Sequence, residues 1–306
     1  MIRLRSARIR LAIRLEAFLF ISLGLGLLSA PARAKSKFAK VRGRVESEIQ
    51  SSAADVAVAF RTLDGRHEVL IQPDLSFHAA STMKIPVMIE LFQQVHDKNL
   101  RLHDELPVKN EFKSIVDGSS YSLTASDDSE SDLYKAVGQT RTLAQLCEAM
   151  ITVSSNLATN LLIEKLGVEN IRARVVSLHA DGMSLLRGVE DGKAYEKGLN
   201  NTTTARGLLV LLRAIAEKKA VDKPSACEMI EILKRQKFHE AIPAGLPPGV
   251  VVAHKTGEIT KIHHDAAIVY AKKPFILVIL VRGIADPKQS SGLMARITTL
   301  LYDASQ

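Results

Sequence analysis

The sequence predicts an α/β protein of the α+β type, with one antiparallel sheet built from both chain ends, flanking helices and an all-helical subdomain. Strand patterns occur early, within residues 55–71, and return late, within 250–281. Between them, apolar residues recur at helical spacing. Helical patterns at 38–49 and 293–302 can cover the sheet from outside. A cleft between the sheet and the helical part is a natural place for a site.

The first 34 residues are typical of an export signal. A basic start precedes an apolar run from Ala17 to Ala30, and Ala32-Arg33-Ala34 fits a small-x-small cleavage site. The run of about 14 residues is shorter than the roughly 20 that a membrane span needs. We expect cleavage near Ala34, a periplasmic or secreted location and no stable membrane anchor afterwards.

The remaining residues, 35–306, are expected to form one catalytic domain. Its α/β part would take about 35–80 and 220–306, and its helical part about 81–219. Residues 1–34 hold six Arg and one Glu, so the formal net charge of +8 falls to about +3 without them. No dense basic patch remains, which argues against a nucleic-acid partner. We expect a monomer without cofactor or metal.

The two cysteines leave two interpretations open. An oxidising compartment would allow a disulfide between Cys147 and Cys227. Cys147 lies on the apolar stripe of a predicted helix, and Cys227 follows another helix start. This placement favours two buried, unpaired thiols.

Local patterns predict the elements in order. The first half gives a helix at Phe38–Ile49, a hairpin of Asp55–Arg61 and His67–Ile71 around Asp64-Gly65, and a helix at Lys84–Val95. The middle gives helices after the capping box Thr142–Gln145, at Asn156–Leu166 before Gly167, at Thr204–Lys218 and from Ser225. The last part gives strands at Val250–His254, Ala266–Ala271 and Phe275–Val281, then a helix at Leu293–Tyr302.

A first motif couples a serine to a lysine. Ser81 stands at a predicted helix start, where developing negative charge is favoured. Lys84 follows three residues later on the same helix face. A desolvated lysine loses its proton more easily and can activate the serine. Alone the pair is weak, because Ser-x-x-Lys occurs about once by chance in 300 residues.

A second motif, Ser154-Ser155-Asn156, falls in the turn between two predicted helices. The Ser154 hydroxyl can pass a proton to a leaving nitrogen, and the Asn156 amide can bind a substrate amide. Taken alone, the motif could be a simple helix cap.

The third motif, Lys255-Thr256-Gly257, ends the predicted strand Val250–His254. Lys255 and Thr256 can hold a substrate carboxylate by charge-assisted hydrogen bonds, and Gly257 leaves room beside the strand backbone. The alternative without a function is a strand-ending turn with an exposed lysine. The order of the three motifs, each on a suitable element, favours one active site.

With these motifs the chain resembles class A β-lactamases and related serine hydrolases of the same family. The resemblance covers essentially all of residues 35–306 and includes the stretches 150–162 and 242–249. It implies a serine β-lactamase/D-Ala-D-Ala-peptidase-like fold and an oxyanion hole formed by the backbone N–H groups of Ser81 and Glu258. An Asp with a structural role usually stands at the position of Ser155. An arginine often assists carboxylate binding, and Arg282 is the candidate here.

The resemblance also implies a loop glutamate that activates the deacylating water, helped by an asparagine. The loop from Arg187 to Thr203 lacks the usual Arg-x-Glu-x-x-x-Asn spacing. Glu190 suits the family by its distance from Ser154, and Glu196 suits it because Asn200 follows four residues later. Both stay open.

Three functions follow as alternatives. The first is a serine β-lactamase that hydrolyses the β-lactam amide through a Ser81 acyl-enzyme, with Lys84 and the loop glutamate sharing the base role. The second is a penicillin-binding D-Ala-D-Ala peptidase without a competent deacylating carboxylate. The third is a non-catalytic cell-wall binding module, against which the complete motifs argue. A β-lactam or a peptidoglycan-like molecule would be the substrate.

Overall fold

The computed structural model describes residues 30–306, with side chains from Lys37 onward. The predicted export signal lies outside these residues, apart from the backbone of 30–34, which begins the first helix. Within the described part of the chain, no helix is long and apolar enough to cross a membrane.

Eleven strands are numbered along the described chain, and five of them form the central sheet. These five are β1 (Asp55–Thr62), β2 (Glu68–Ile71), β9 (Val251–Ile259), β10 (Ile262–Tyr270) and β11 (Phe275–Arg282). They are antiparallel and lie in the order β2-β1-β11-β10-β9. The register pairs Asp55 with Arg282, which confirms the prediction that both chain ends build one sheet.

The other six strands are short and pair outside the central sheet. They are β3 (Phe77–His78), β4 (Glu105–Pro107), β5 (Phe112–Lys113), β6 (Ser120–Tyr121), β7 (Thr140–Thr142) and β8 (Thr202–Thr203). They form the ladders β3-β8, β4-β7 and β5-β6. The part expected to be all-helical therefore also contains extended segments, whose backbone groups pair with one another in two-stranded ladders.

Nine α-helices surround the central sheet in the described chain. They are α1 (Ala30–Ser52), α2 (Lys84–His96), α3 (Leu143–Thr152), α4 (Asn156–Leu166), α5 (Val168–Ser177), α6 (Gly192–Glu196), α7 (Ala205–Ala216), α8 (Lys223–Lys234) and α9 (Pro287–Ser305). The predicted capping box is present, because Thr142 and Gln145 each bond the other's backbone at the start of α3.

Both faces of the sheet are buried. Alternate residues of β11 point to opposite sides, because side chains alternate along a strand. Ile276, Val278 and Leu280 pack with the core formed by α2 to α5, α7 and α8. Phe275 and Leu277 pack with the core beneath α1 and α9. The helical part thus lies against one face and abuts the edge strand β9.

Neither cysteine forms a disulfide. Cys147 is buried, as expected, but Cys227 is exposed. The expectation of two buried thiols is wrong for Cys227 because α8 buries Ala226, Met229 and Leu233 instead, which leaves Cys227 on the outer stripe of the helix.

Candidate active site

Ser81 lies in a one-turn 3₁₀ helix, Ala80–Met83, directly before α2. Ala80 opens this turn with φ of 45°, a left-handed conformation that is uncommon for alanine. Ala80 is buried while Ser81 is partly exposed. A locally strained backbone therefore presents the serine hydroxyl to the cleft, as is frequent at active sites.

Lys84 is the first residue of α2 and is completely buried. Its Nζ donates to Ser154 O at 2.6 Å, to Ser154 Oγ at 3.1 Å and to Asn156 Oδ1 at 2.8 Å. Burial lowers its pKa to about 7, against the opposing effect of the carboxylates of Asp128 and Glu190. The amine is therefore partly neutral near pH 7 and available as a base.

Ser154 connects two buried lysines. It adopts φ of 61° in the turn before α4, and its Oγ accepts from Lys84 Nζ and, at 3.0 Å, from Lys255 Nζ. Burial first, and the nearby charge of Lys84 second, hold the pKa of Lys255 well below its usual value. Because a serine oxygen can accept two hydrogen bonds and donate one, the Ser154 proton stays available to a substrate.

The strand β9 continues through the third motif, Lys255-Thr256-Gly257. The prediction that the strand ends at His254 is therefore wrong. β9 continues because its backbone pairs with β10 through this segment, including Gly257 opposite His264. A methyl group on Gly257 would lie 3.1 Å from the backbone nitrogens of both Ser81 and Thr82. The glycine therefore permits the edge strand to approach the nucleophile turn closely.

Glu258, the next residue of β9, lines the same two cavities as Ser81. As an edge strand, β9 has N–H groups that no neighbouring strand pairs. The Glu258 carboxylate itself lies 3.0 Å from His263 Nε2. The Glu258 side chain is thus engaged by His263, and the oxyanion role of its backbone N–H stays a prediction.

Of the two candidate loop glutamates, Glu190 lies at the site. Asn156 Nδ2 donates to Glu190 Oε1 at 2.6 Å, and Glu190 lines the same cavity as Ser81. Partial burial in the cleft raises the pKa of this carboxyl, while the hydrogen bond from Asn156 opposes the rise. Glu196 is an exposed residue at the end of α6 and is not among the residues that line the cleft.

Two other candidates also lie away from the reacting groups. Asn200 uses its side-chain oxygen to accept from the Arg187 guanidinium at 3.0 Å. Arg282 pairs with Asp55 at 2.8 Å and lies over the Phe77 ring. Neither side chain lines the cleft.

Buried side chains hold the glutamate loop, and the sequence had not assigned them this role. Asn160 accepts from Val189 N at 2.7 Å and donates to Val189 O at 3.0 Å. Asn201 bonds the backbone of Arg187 in both directions. Asn160 could have been noticed, because it stands one helical turn after Asn156 on α4.

The cleft consists of two cavities of ≈ 610 and ≈ 550 Å³, which share Ser81, Asn156 and Glu258 in their lining. The first also reaches Ser154 and Thr256, and the second reaches the glutamate loop. The volumes suit a small organic ligand. In the described residues, no group of three or more His, Cys, Asp or Glu side chains could hold a metal.

The Ser81 hydroxyl has a lysine of lowered pKa three residues on and Ser154 between two lysines nearby, an arrangement that suits a serine hydrolase. Residues 40–305 match the profile of the Beta-lactamase enzyme family. The chain belongs to this family and is a class A β-lactamase-like serine hydrolase, with an α+β fold of an antiparallel sheet flanked by helices.

Known proteins show the same relationship. A β-lactamase of Bacillus licheniformis is 27% identical over 288 residues, which are 88% of this chain and 83% of that protein. The fold matches a β-lactamase structure from Chitinophaga pinensis with a TM-score of 0.76, 22% identity, and 87% and 100% of the two chains covered. It also matches the structure of PBP-A with a TM-score of 0.73 and 22% identity, over 87% and 95%.

Proposed function

We propose that the protein is an exported β-lactamase that hydrolyses the β-lactam amide through an acyl-enzyme on Ser81. The observation that supports this proposal is the bonded series Lys84–Asn156–Glu190 beside the cavity that Ser81 lines. The series joins a base for acylation to a carboxylate that can activate water for deacylation.

Acylation would begin with attack of Ser81 Oγ on the lactam carbonyl carbon. Lys84 is partly neutral near pH 7 because its pKa is lowered. Lys84 and Glu190 would share removal of the serine proton. Backbone N–H groups of Ser81 and Glu258 would stabilise the negative charge on the carbonyl oxygen. The C–N bond would then break as Ser154 gives its proton to the nitrogen and regains one from the adjacent lysine.

Substrate orientation would come from the edge strand. Lys255 and Thr256 would bind the carboxylate next to the lactam ring by charge-assisted hydrogen bonds. The Asn156 amide would bind the substrate's side-chain amide. For deacylation, Glu190 would take a proton from a water molecule that attacks the ester carbonyl, and Ser81 would recover its proton as the acid leaves.

Replacement of each loop glutamate by glutamine tests the deacylating role. In Glu190→Gln the water lacks its base, so we expect the acyl-enzyme with benzylpenicillin to accumulate and steady-state turnover to fall by about 100-fold or more. Glu196→Gln is the matched control on the same loop and should turn over like the wild type. Intact-protein mass spectrometry after mixing measures the acylated fraction. Accumulation in neither variant, or only in Glu196→Gln, would refute the assignment to Glu190.

A penicillin-binding D-Ala-D-Ala peptidase is the second candidate, favoured by one observation. Asn200, the asparagine expected to help the water, is bonded to Arg187 instead. Nitrocefin separates the two functions, because a peptidase of this kind would give a stoichiometric burst and no steady state. Sustained hydrolysis supports the lactamase.

We also propose that the chain is exported after cleavage near Ala34 and acts as a monomer. The basic and apolar pattern of residues 1–34 supports export. Cell fractionation with and without these residues, and light scattering of the mature chain, test the two parts. Cytoplasmic retention of the full chain, or a stable dimer, would contradict them.

A further inference from the structure

Asp128 reaches the second motif from an acidic segment almost thirty residues earlier in the chain. Its Oδ2 accepts from the backbone N–H groups of Asn156 at 2.9 Å and Leu157 at 3.0 Å. The same oxygen accepts from the Tyr134 hydroxyl at 2.9 Å and lies 3.5 Å from Ser155 Oγ. One carboxylate oxygen of the acidic segment thus bonds both the Tyr134 side chain and the start of α4.

The first N–H groups of a helix have no partner within the helix, and its N-terminus carries partial positive charge. At α4 the Ser155 side chain satisfies only Ala158 N. Asp128 supplies the acceptor for the two preceding N–H groups, and it supplies the negative charge that suits this end of the helix. The turn holding Ser154 and Asn156 is therefore fixed from outside its own sequence.

We propose that Asp128 is a positioning residue for the reaction: it holds the turn that presents Ser154 and Asn156 to Lys84 and Glu190, and its charge acts on both of these groups. This inference rests on the proposed function. Asp128 is not among the residues that line either cavity, so it would act through Asn156.

The charge of Asp128 predicts an effect on pKa values that an uncharged structural contact would not have. It opposes the burial that lowers the pKa of Lys84, and it adds to the burial that raises the pKa of Glu190. The other charged groups near these two residues are Lys255, whose own pKa is lowered by burial and then by the charge of Lys84, and Asp127, which raises the pKa of Glu190. Removal of the Asp128 charge should therefore lower the pKa of both Lys84 and Glu190.

The test compares Asp128→Asn, Asp128→Ala and Tyr134→Phe in the full mature chain. Acylation by benzylpenicillin is followed across pH by intact-protein mass, which requires no turnover. Asp128→Asn keeps the shape and can still accept hydrogen bonds, so we expect its acidic limb, set by Lys84, to move to lower pH. Asp128→Ala should acylate about 10- to 100-fold more slowly, because small misplacements of catalytic groups have effects of this size. Tyr134→Phe should have a smaller effect in the same direction as Asp128→Ala.

Asp132→Asn is the matched control, because Asp132 lies in the same segment and pairs with the exposed Lys135. It should leave both rate and pH profile unchanged. An unshifted acidic limb in Asp128→Asn, or normal acylation in Asp128→Ala, would overturn the proposal.

Amide hydrogen exchange separates this inference from the proposed function. Asp128→Ala should exchange the Asn156 and Leu157 amides at least tenfold faster than the wild type, with or without any reaction toward penicillin. If the wild type does not acylate but the exchange change occurs, the proposed function fails while the positioning by Asp128 stands. Unchanged exchange would overturn the positioning in either case.

Discussion

At the scale of single residues, the site depends on side chains that each bond more than one partner. Lys84 bonds both Ser154 and Asn156, and Asn156 also bonds Glu190. Such shared contacts make single substitutions non-additive, because removing one group leaves the others without a partner. The informative variants are therefore those whose effect differs between substrates or with pH.

Lys255→Ala should discriminate between substrates by their charge. Lys255 is fully buried beside Ser154 and Thr256, so its loss removes the charge that would bind a substrate carboxylate in a water-poor site. We expect acylation by carboxylate-bearing lactams to fall about 100-fold more than acylation by neutral esters, measured as second-order rate constants. Lys261→Ala, an exposed residue lining the same cavity, is the control. Equal losses for both substrate classes would contradict the anchoring role.

At the scale of elements, the contact between β9 and the 3₁₀ turn of Ser81 decides the geometry of the nucleophile. Gly257→Ala would insert a methyl group 3.1 Å from the backbone nitrogens of Ser81 and Thr82, so strand and turn must separate by a few tenths of an ångström. We expect acylation to slow about 10- to 100-fold. The free energy of unfolding should change by only about 1 kcal/mol. Gly43→Ala is the control, because nothing lies within 4 Å of a methyl group there. Parallel losses of acylation and of stability would show a folding defect instead.

The elements show which features the sequence can predict. The capping box of α3 and the strands of the sheet rest on contacts between near neighbours or on simple periodicity. The capping box occurs as expected, and all five strands are present, but β9 and β10 are longer than predicted, ending at Ile259 and beginning at Ile262. The predicted end of the strand at His254 is wrong, because the ladder with β10 continues through Lys255-Thr256-Gly257. The glycine is there for the approach of a distant turn, which local pattern does not encode.

The loop and the acidic segment were the least predictable parts of the site. Spacing favoured Glu190 and kept Glu196 as the alternative, and the deciding contact joins Glu190 to Asn156, 34 residues away in the chain. Asp128 belongs to none of the three motifs, and only the fold brings it to the start of α4. Long-range hydrogen bonds of this kind follow from tertiary structure, so they leave no periodic signal in the sequence.

At the scale of the whole molecule, the site lies where the edge of the sheet meets the helical part. The sheet is buried on both faces, with one core beneath α1 and α9 and the other shared with the helical part. The edge strand β9 carries Lys255 from the sheet side, and α2 carries Lys84 from the helical side. Packing two lysines at this junction favours chemistry and opposes stability, because burial disfavours their charged forms.

This conflict predicts a pH dependence of the free energy of unfolding. The folded pKa of Lys84 is about 7, against about 10.4 in the unfolded chain. Between these values the unfolded state binds more protons, so the stability of the wild type should rise with pH, by up to about 1.4 kcal/mol per pH unit from this group.

Lys84→Met removes the titrating amine, so we expect the variant to be more stable than the wild type at pH 7 and to lose that advantage toward pH 9.5. Urea unfolding of both proteins across this range measures the difference, in which titrating groups remote from Lys84 cancel. Lys255 and Glu190 contribute to the difference, because the charge of Lys84 acts on the pKa of each. The exposed Lys261→Met should show a difference independent of pH, and a flat difference for Lys84→Met as well would refute the buried, near-neutral lysine.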